Sequence, residues 1–304
     1  MKFDIIIANP PWGQSIHYEF TQKYLDLAHD VISIMPISII KRDSKHFKKF
    51  KYAYNDRLYD VEEIDSSVFQ NTNMQNCCIY CFKDKTDKLH IKYIDGKEEN
   101  INCINEKDYS GFTDYEKEIV KYLYNEKPNW VCGQNGGMAN GRDDRNPKKH
   151  LSTYVNKILR KLPDDKVYLT CLCAYSAGRA IFFSSRTGQI CNTKRELEKL
   201  LYERGGAAAH YMWFNNIQSA ENCKAAMQRP LIRFPLLRTQ SNQSLSKIHF
   251  QYIPDIKWEN IESDYDILKA CGCPDDKCKE YVEYCNKIIQ EVDKKRHNKI
   301  LKYQ

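Results

Sequence analysis

No apolar run in these 304 residues approaches the ~20 that a membrane-spanning helix needs, and charged residues make up 29% of the chain. The opening Met1-Lys2-Phe3-Asp4 has no apolar h-region of the kind that marks a secretory signal. Thirteen cysteines are scattered without such a signal, which predicts reduced thiols and a cytoplasmic protein rather than a disulfide scaffold. Eight histidines never fall in a His-x-x-x-His spacing. The Cys271-Gly-Cys273, Cys278 and Cys285 group has a one-residue spacing and no matching second pair or histidine partner, so no metal site is expected. Glycine is equally uninformative. The stretch Gly133-Gln-Asn-Gly-Gly-Met-Ala-Asn-Gly-Arg142 lacks the Gly-Lys-Ser/Thr ending of a phosphate loop and the Gly-x-Gly-x-x-Gly of a dinucleotide turn. It reads as a loop with many positions open to positive φ.

What is present begins at once. Phe3 to Ala8 (Phe-Asp-Ile-Ile-Ile-Ala) has the apolar, β-branched content of a strand covered on both faces. Pro10 and Pro11 stop it, because neither can donate to a strand ladder and Pro10 biases Asn9 away from the helical region. The result is a stiff turn at the carboxyl end of a strand, where open α/β sheets place their ligands. The Asn9 side-chain oxygen and the Pro10 carbonyl can both accept from an exocyclic amine, and Trp12 can stack on a planar base.

Charge is unevenly spread. Residues 1–130 carry 18 Lys/Arg against 21 Asp/Glu, a net −3; residues 131–250 carry 19 against 8, a net +11; residues 251–304 carry 10 against 11, a net −1. A basic middle is the footprint of a phosphate-binding surface. Its arginines (Arg142, Arg145, Arg160, Arg179, Arg186, Arg195, Arg204, Arg229, Arg233, Arg238) suit phosphate and guanine edges better than lysine does. With Lys148 and Lys149, Arg142 and Arg145 form the candidate DNA-contacting cluster.

Apolar spacing predicts a helix over Tyr18–His29, a strand over Val31–Ile40 ended by Pro36, and a Lys-rich helix over residues 44–56. Strands follow at Tyr59–Ile64, Cys77–Phe82 and Leu89–Ile94, then a helix over Tyr115–Tyr124. Val167 to Phe183 reads as strand, small-residue turn and strand.

Asn9-Pro10-Pro11-Trp12, with the apolar approach Ile6-Ile7-Ala8, resembles the fourth motif of the amino-methyltransferases in its adenine-N6 form. The succession strand, motif, helix, strand, helix, hairpin over residues 3–84 resembles the second half of that family's sheet. A looser likeness to restriction–modification adenine methylases lies at Ala220-Glu221-Asn222, Leu231 to Leu237, Gln240 to Ser246 and Pro254-Asp255. The resemblance implies an α/β fold: a partial Rossmann-like methyltransferase sheet over residues 1–84, a mixed α/β target-recognition region over 85–260 and a helical segment over 261–304. It implies S-adenosylmethionine as cofactor, double-stranded DNA as partner, and Asn9, Pro10, Pro11 and Trp12 as the catalytic residues. Related turns serve RNA methyltransferases, and a non-catalytic DNA-binding remnant of a methylase is the reading from another class. The family's glycine-rich cofactor turn is not found: Gly178, Gly188, Gly205-Gly206 and Gly272 lack its spacing and its preceding strand. No nuclease core of the Pro-Asp…Asp/Glu-x-Lys type stands out either. Without cofactor-binding strands beside it, Phe3 to Ala8 is expected to form an exposed apolar edge. A second polypeptide supplying that half is one way to cover it.

Overall fold

The computed structural model describes residues 2–12, 16–36, 54, 56–64, 77–94, 96–101, 112–126, 128, 131–133, 147–172, 182, 188–203, 209–239 and 247–302. The chain is α/β and divides into two compact units, residues 1–112 with 238–243, and residues 113–237 with 244–304.

The first unit is built on a six-stranded mixed sheet. Its strands are β1 (Phe3–Ala8), β2 (Ala28–Pro36), β3 (Leu58–Ile64), β4 (Cys77–Phe82), β5 (Leu89–Lys92) and β6 (Glu98–Ile101), in spatial order β1-β2-β4-β3-β5-β6. Helix α1 (Ile16–Leu27) connects β1 to its parallel neighbour β2. The helix predicted from Tyr18 thus starts two residues earlier, and β2 takes up His29 and Asp30. Strand β4 runs antiparallel to both β2 and β3, so those two point the same way. β3 pairs β5 in parallel, and β5 pairs β6 as a hairpin, carrying the sheet past residue 84.

The register assigns the two faces. Ile6, Val31, Phe82, Ser33, Tyr80, Val61 and Ile91 align across the sheet on one side. Val31, Tyr80, Val61 and Ile91 are fully buried there, packed with Tyr18 and Leu25 of α1. On the other side the register aligns Ile7, Ile32, Cys81, Asp60 and His90, with Ile34, Ile79, Glu62 and Lys92 in the next row. That side is apolar near β1 and ionic on β3 and β5, where Asp60 meets His90 at 2.7 Å and Glu62 meets Lys92 at 2.9 Å. Arg57 closes the far end of the unit. Its guanidinium donates to the carbonyls of Leu25, Ala28, His29 and Lys83, tying the end of α1 and the start of β2 to the β4 exit.

β1 lies at the edge of this sheet with β2 as its neighbour. Phe3, Ile5 and Ile7 are 63%, 49% and 75% exposed. The apolar run therefore does not report a strand covered on both faces; the expectation of an open edge describes it instead. A central strand and an uncovered edge strand of this composition look alike in sequence, because periodicity records what a strand can bury and not what lies beside it.

The second unit holds a four-stranded antiparallel sheet, β7 (Val131–Gly133), β8 (Val167–Leu172), β9 (Gly188–Cys191) and β10 (Ala209–Phe214), ordered β7-β10-β8-β9. Its helices among the described residues are α2 (Asp114–Leu123), α3 (Pro147–Leu159), α4 (Lys194–Glu203), α5 (Ile217–Ala226), α6 (Pro230–Thr239, of which this unit holds the residues up to Leu237), α7 (Asp264–Ala270) and α8 (Asp275–Lys302). Val155, Ile158, Leu197 and Leu201 of α3 and α4 pack with Tyr168 and Tyr211 of the sheet. α2 starts at a capping box, Thr113 and Glu116 each bonding the other's backbone N–H. Along α8 the buried residues are Cys278, Tyr281, Cys285 and Ile289, a three- and four-residue spacing that makes one helical stripe. Cys273, Cys278 and Cys285 are thus core side chains, and Cys271 is half-buried. Burial pushes Cys271 and Cys273 up to about 12, so neither is a thiolate near neutral pH.

Candidate functional site

Asn9 to Trp12 occupy the carboxyl end of β1, beside the carboxyl end of the parallel β2. The prolines explain why the turn sits there. The β1–β2 register ends at Ala8 opposite Ser33, and the two residues after Asn9 cannot donate to a ladder. Asn9 and Pro11 are exposed, Pro10 is buried and Trp12 is half-buried. All four residues named from the sequence are therefore in one place, with the amide side chain outward and one proline seated in the protein.

The indole N–H of Trp12 links the turn to the sheet. It donates to Asn9 Oδ1 at 3.2 Å and to the Ile34 carbonyl, also at 3.2 Å. Ile34 lies one residue beyond the last β1–β2 register pair, so the indole reaches β2 where β1 has left it.

Behind the turn stands a residue that sequence reasoning passed over. His17, in the first turn of α1, is 5% exposed, and its ring lies 4.1 Å from that of Tyr18. Among the described residues neither ring nitrogen has a hydrogen-bond partner of normal geometry. Burial lowers its pKa to about 4, opposed in part by the Trp12 backbone, so it is neutral at physiological pH. Thr21 fixes the same helix turn by donating to the His17 carbonyl at 2.8 Å, and its hydroxyl lies 3.1 Å from Met35 Sδ on β2. The available signal was positional: a histidine five residues after Trp12, opening a helix that must pack on the sheet.

The basic middle is only partly described. Arg142 and Arg145 lie outside the described residues, while Lys148 and Lys149 lie on α3. Of the other arginines, Arg160 and Arg195 are exposed. Arg233 and Arg238 are 8% and 3% exposed, and Arg233 forms a two-pronged ion pair with Asp293 of α8 at 2.8 and 2.9 Å. That guanidinium is committed to packing, not to phosphate. The looser likeness at Ala220-Glu221-Asn222 falls on α5, where Asn222 donates to the backbone carbonyls of Trp258 and Glu259 at 2.8 and 3.0 Å. It holds the helix to the segment after Pro254-Asp255.

No protein-family model matches the chain, and no curated protein matches it by sequence. Solved structures do. The type IIL restriction-modification enzyme MmeI in complex with DNA is 10% identical over 96% of this chain and 57% of its own, with a TM-score of 0.38. The M protein of the type I restriction enzyme EcoKI is 12% identical over 96% of this chain and 50% of its own, at 0.27. The type IIG restriction endonuclease BpuSI is 9% identical over 91% of this chain and 49% of its own, at 0.32. The chain spans about half the length of the solved structures it matches.

The described residues offer no fit for S-adenosylmethionine. The two described glycines with positive φ, Gly96 and Gly272, lie in the β5–β6 turn and just after α7, and neither follows a strand into a helix. Among the described residues no three His, Cys, Asp or Glu side chains converge to hold a metal ion. No helix among them is long and apolar enough to cross a membrane.

Proposed function

We propose that this chain is the amine-recognising part of an adenine-N6 DNA methyltransferase of restriction–modification type. The observation that carries it is the outward-facing Asn9 in a proline-stiffened turn at the carboxyl end of a parallel strand, with an aromatic side chain beside it. Asn9 Oδ1 and the Pro10 carbonyl accept the two protons of the target amine and turn its lone pair outward. The amine nitrogen is itself the nucleophile, so the turn needs no separate general base. Trp12 contributes an aromatic ring to an extruded base, and Arg142, Arg145, Lys148 and Lys149 contact phosphates of the duplex.

The methyl donor does not fit the residues described. The open edge of β1 supports a role for another segment, in a longer form of this chain or in a second polypeptide, that pairs with β1 and brings the cofactor site. A non-catalytic DNA-binding protein is the second reading, favoured by the lack, among the described residues, of a glycine turn that leads from a strand into a helix. Asn9→Ala, assayed for methyl transfer to DNA in a preparation that methylates it, should lose ~10²–10³-fold in rate as one positioning acceptor is removed. Unchanged methylation would refute the assignment. Titration calorimetry with S-adenosylmethionine separates the alternatives: DNA binding without cofactor binding by this chain alone supports the partial or non-catalytic readings.

A further inference from the structure

We infer that Trp12 acts through its indole N–H as the positioning residue of Asn9, fixing which way the carboxamide faces as well as offering a ring to a base. An indole nitrogen can only donate, so the Asn9 atom facing it at 3.2 Å has to be the oxygen. The carboxamide then has one orientation instead of two interchangeable ones. Its oxygen has a second lone pair for an incoming amine, and its NH2 group is turned away from the indole.

The same N–H is held by the Ile34 carbonyl at 3.2 Å, so the orientation is referred to the β2 backbone and not to the turn alone. A phenylalanine at this position would supply a ring with no donor. A tyrosine would carry its donor at the tip of the ring, away from the site that Nε1 occupies. Exposure makes the tether consequential: a solvent-facing asparagine without a fixed partner samples both faces of its amide, and half of those states present hydrogens to a group that is itself a donor.

This deepens the proposed function and rests on it where activity is concerned, but the tether can be read without activity. In the full chain labelled with 15N-tryptophan, four indole signals are expected, and Trp12→Phe identifies the one from Trp12. Asn9→Ala should shift that signal and speed its exchange with solvent, because one of its two acceptors is gone. Asn9→Asp, which keeps an acceptor and adds charge, should move it the other way. Reciprocally, Trp12→Phe should shift the Asn9 side-chain NH2 pair while the circular dichroism spectrum stays unchanged.

An indole signal identical in wild type and Asn9→Ala would overturn the tether. Where methylation is measurable, Trp12→Phe should lower kcat about 2- to 10-fold, the range of one net hydrogen bond, with KM for DNA unchanged. Wild-type kcat in Trp12→Phe would leave only the ring's role and overturn the positioning one. An Asn9→Ala variant that shows the indole shift yet methylates at the wild-type rate would instead defeat the proposed function and leave the tether standing.

Discussion

Ile7→Lys puts the open edge to the test. Ile7 is 75% exposed, so folding removes only about a quarter of its surface from water. A fully buried isoleucine is worth ~1.5–3 kcal/mol, so the hydrophobic share at stake is about 0.4–0.8 kcal/mol. Leu25, at 0% exposed in the core beneath the same strand, sets the contrast: Leu25→Ala should cost ~2–5 kcal/mol. Urea unfolding of both variants, followed by circular dichroism, gives the comparison directly. Ile7→Lys should cost no more than ~1–2 kcal/mol, since its ammonium reaches water and the loss of strand propensity from isoleucine to lysine is at most ~1 kcal/mol. The same substitution should lower self-association in sedimentation velocity, because a lysine on an edge strand disfavours pairing with another edge. A loss above about 2 kcal/mol would show that Ile7 is buried in the isolated chain and that the edge is covered from within.

Other consequences are more local. Hydrogen exchange should find β1 less protected than the inner strands β2 and β4, since among the described residues no strand pairs its outer side; strong protection there would refute the open edge. Arg57→Lys keeps the charge but loses the fork that reaches four carbonyls, and should cost about 2–3 kcal/mol in urea unfolding. Neutralising Arg142, Arg145, Lys148 and Lys149 together should lower duplex affinity and reduce the salt slope by about 0.9 for each phosphate left without its cation; an unaltered slope would remove that cluster from the DNA interface. His90 and His17 should give opposite pH dependences. The Asp60 carboxylate raises the His90 pKa, so its contribution is complete below the unfolded value near 6.5 and fades as pH rises through the folded value. His17, lowered to about 4, is most favourable above that unfolded value and loses stability as pH falls from about 6.5 towards 4. His17→Phe should flatten the acid limb, and His90→Gln the neutral one.

Much of the first unit could be read from residue order because its signals are local. Pro10 and Pro11 follow the end of β1, the β-branched run of β1 matches its strand, and that of β2 starts within three residues of its strand, while residues 37–40 of the expected run lie outside the described residues. The face assignment was less legible. β4, Cys-Cys-Ile-Tyr-Cys-Phe, is apolar throughout, yet its alternate residues Cys78, Tyr80 and Phe82 are buried while Ile79 and Cys81 are half-exposed. Hydrophobicity along one strand cannot say which layer is present on each side. The Lys-rich helix expected at residues 44–56, but for residues 54 and 56, and the Gly/Asn-rich loop after Gly133 lie outside the described residues. In the second unit Leu231 to Leu237 showed its burial but not its form. Its helix contains Pro235, which propensity argues against, and the N-terminal turn is supported from outside by Asp264, which accepts from the Leu231 N–H at 3.1 Å. At the site, the turn was legible because its chemistry lies in four consecutive residues. His17 and the Ile34 carbonyl were not, since they reach it only through the β1-α1-β2 crossover.

On the proposed reading, that crossover would place recognition and assembly on the same strand. Among the described residues β1 has one hydrogen-bonded neighbour; it exposes Phe3, Ile5 and Ile7 and leads directly into Asn9. A segment pairing along its outer side would run beside the turn and end at the proposed amine site. Trp12 is tied through Ile34 to β2, the inner neighbour, so the Asn9 orientation is set from the side that is already complete. It follows that covering the outer edge should change what reaches the amine without having to build the amine site. If a polypeptide carrying a cofactor-binding half pairs there, adding it should therefore protect β1 amides and confer S-adenosylmethionine binding, while the Trp12 indole resonance shifts little. A large shift of that resonance on assembly would mean the turn is made by the partner, and the division between a preformed acceptor site and an added donor site would fail.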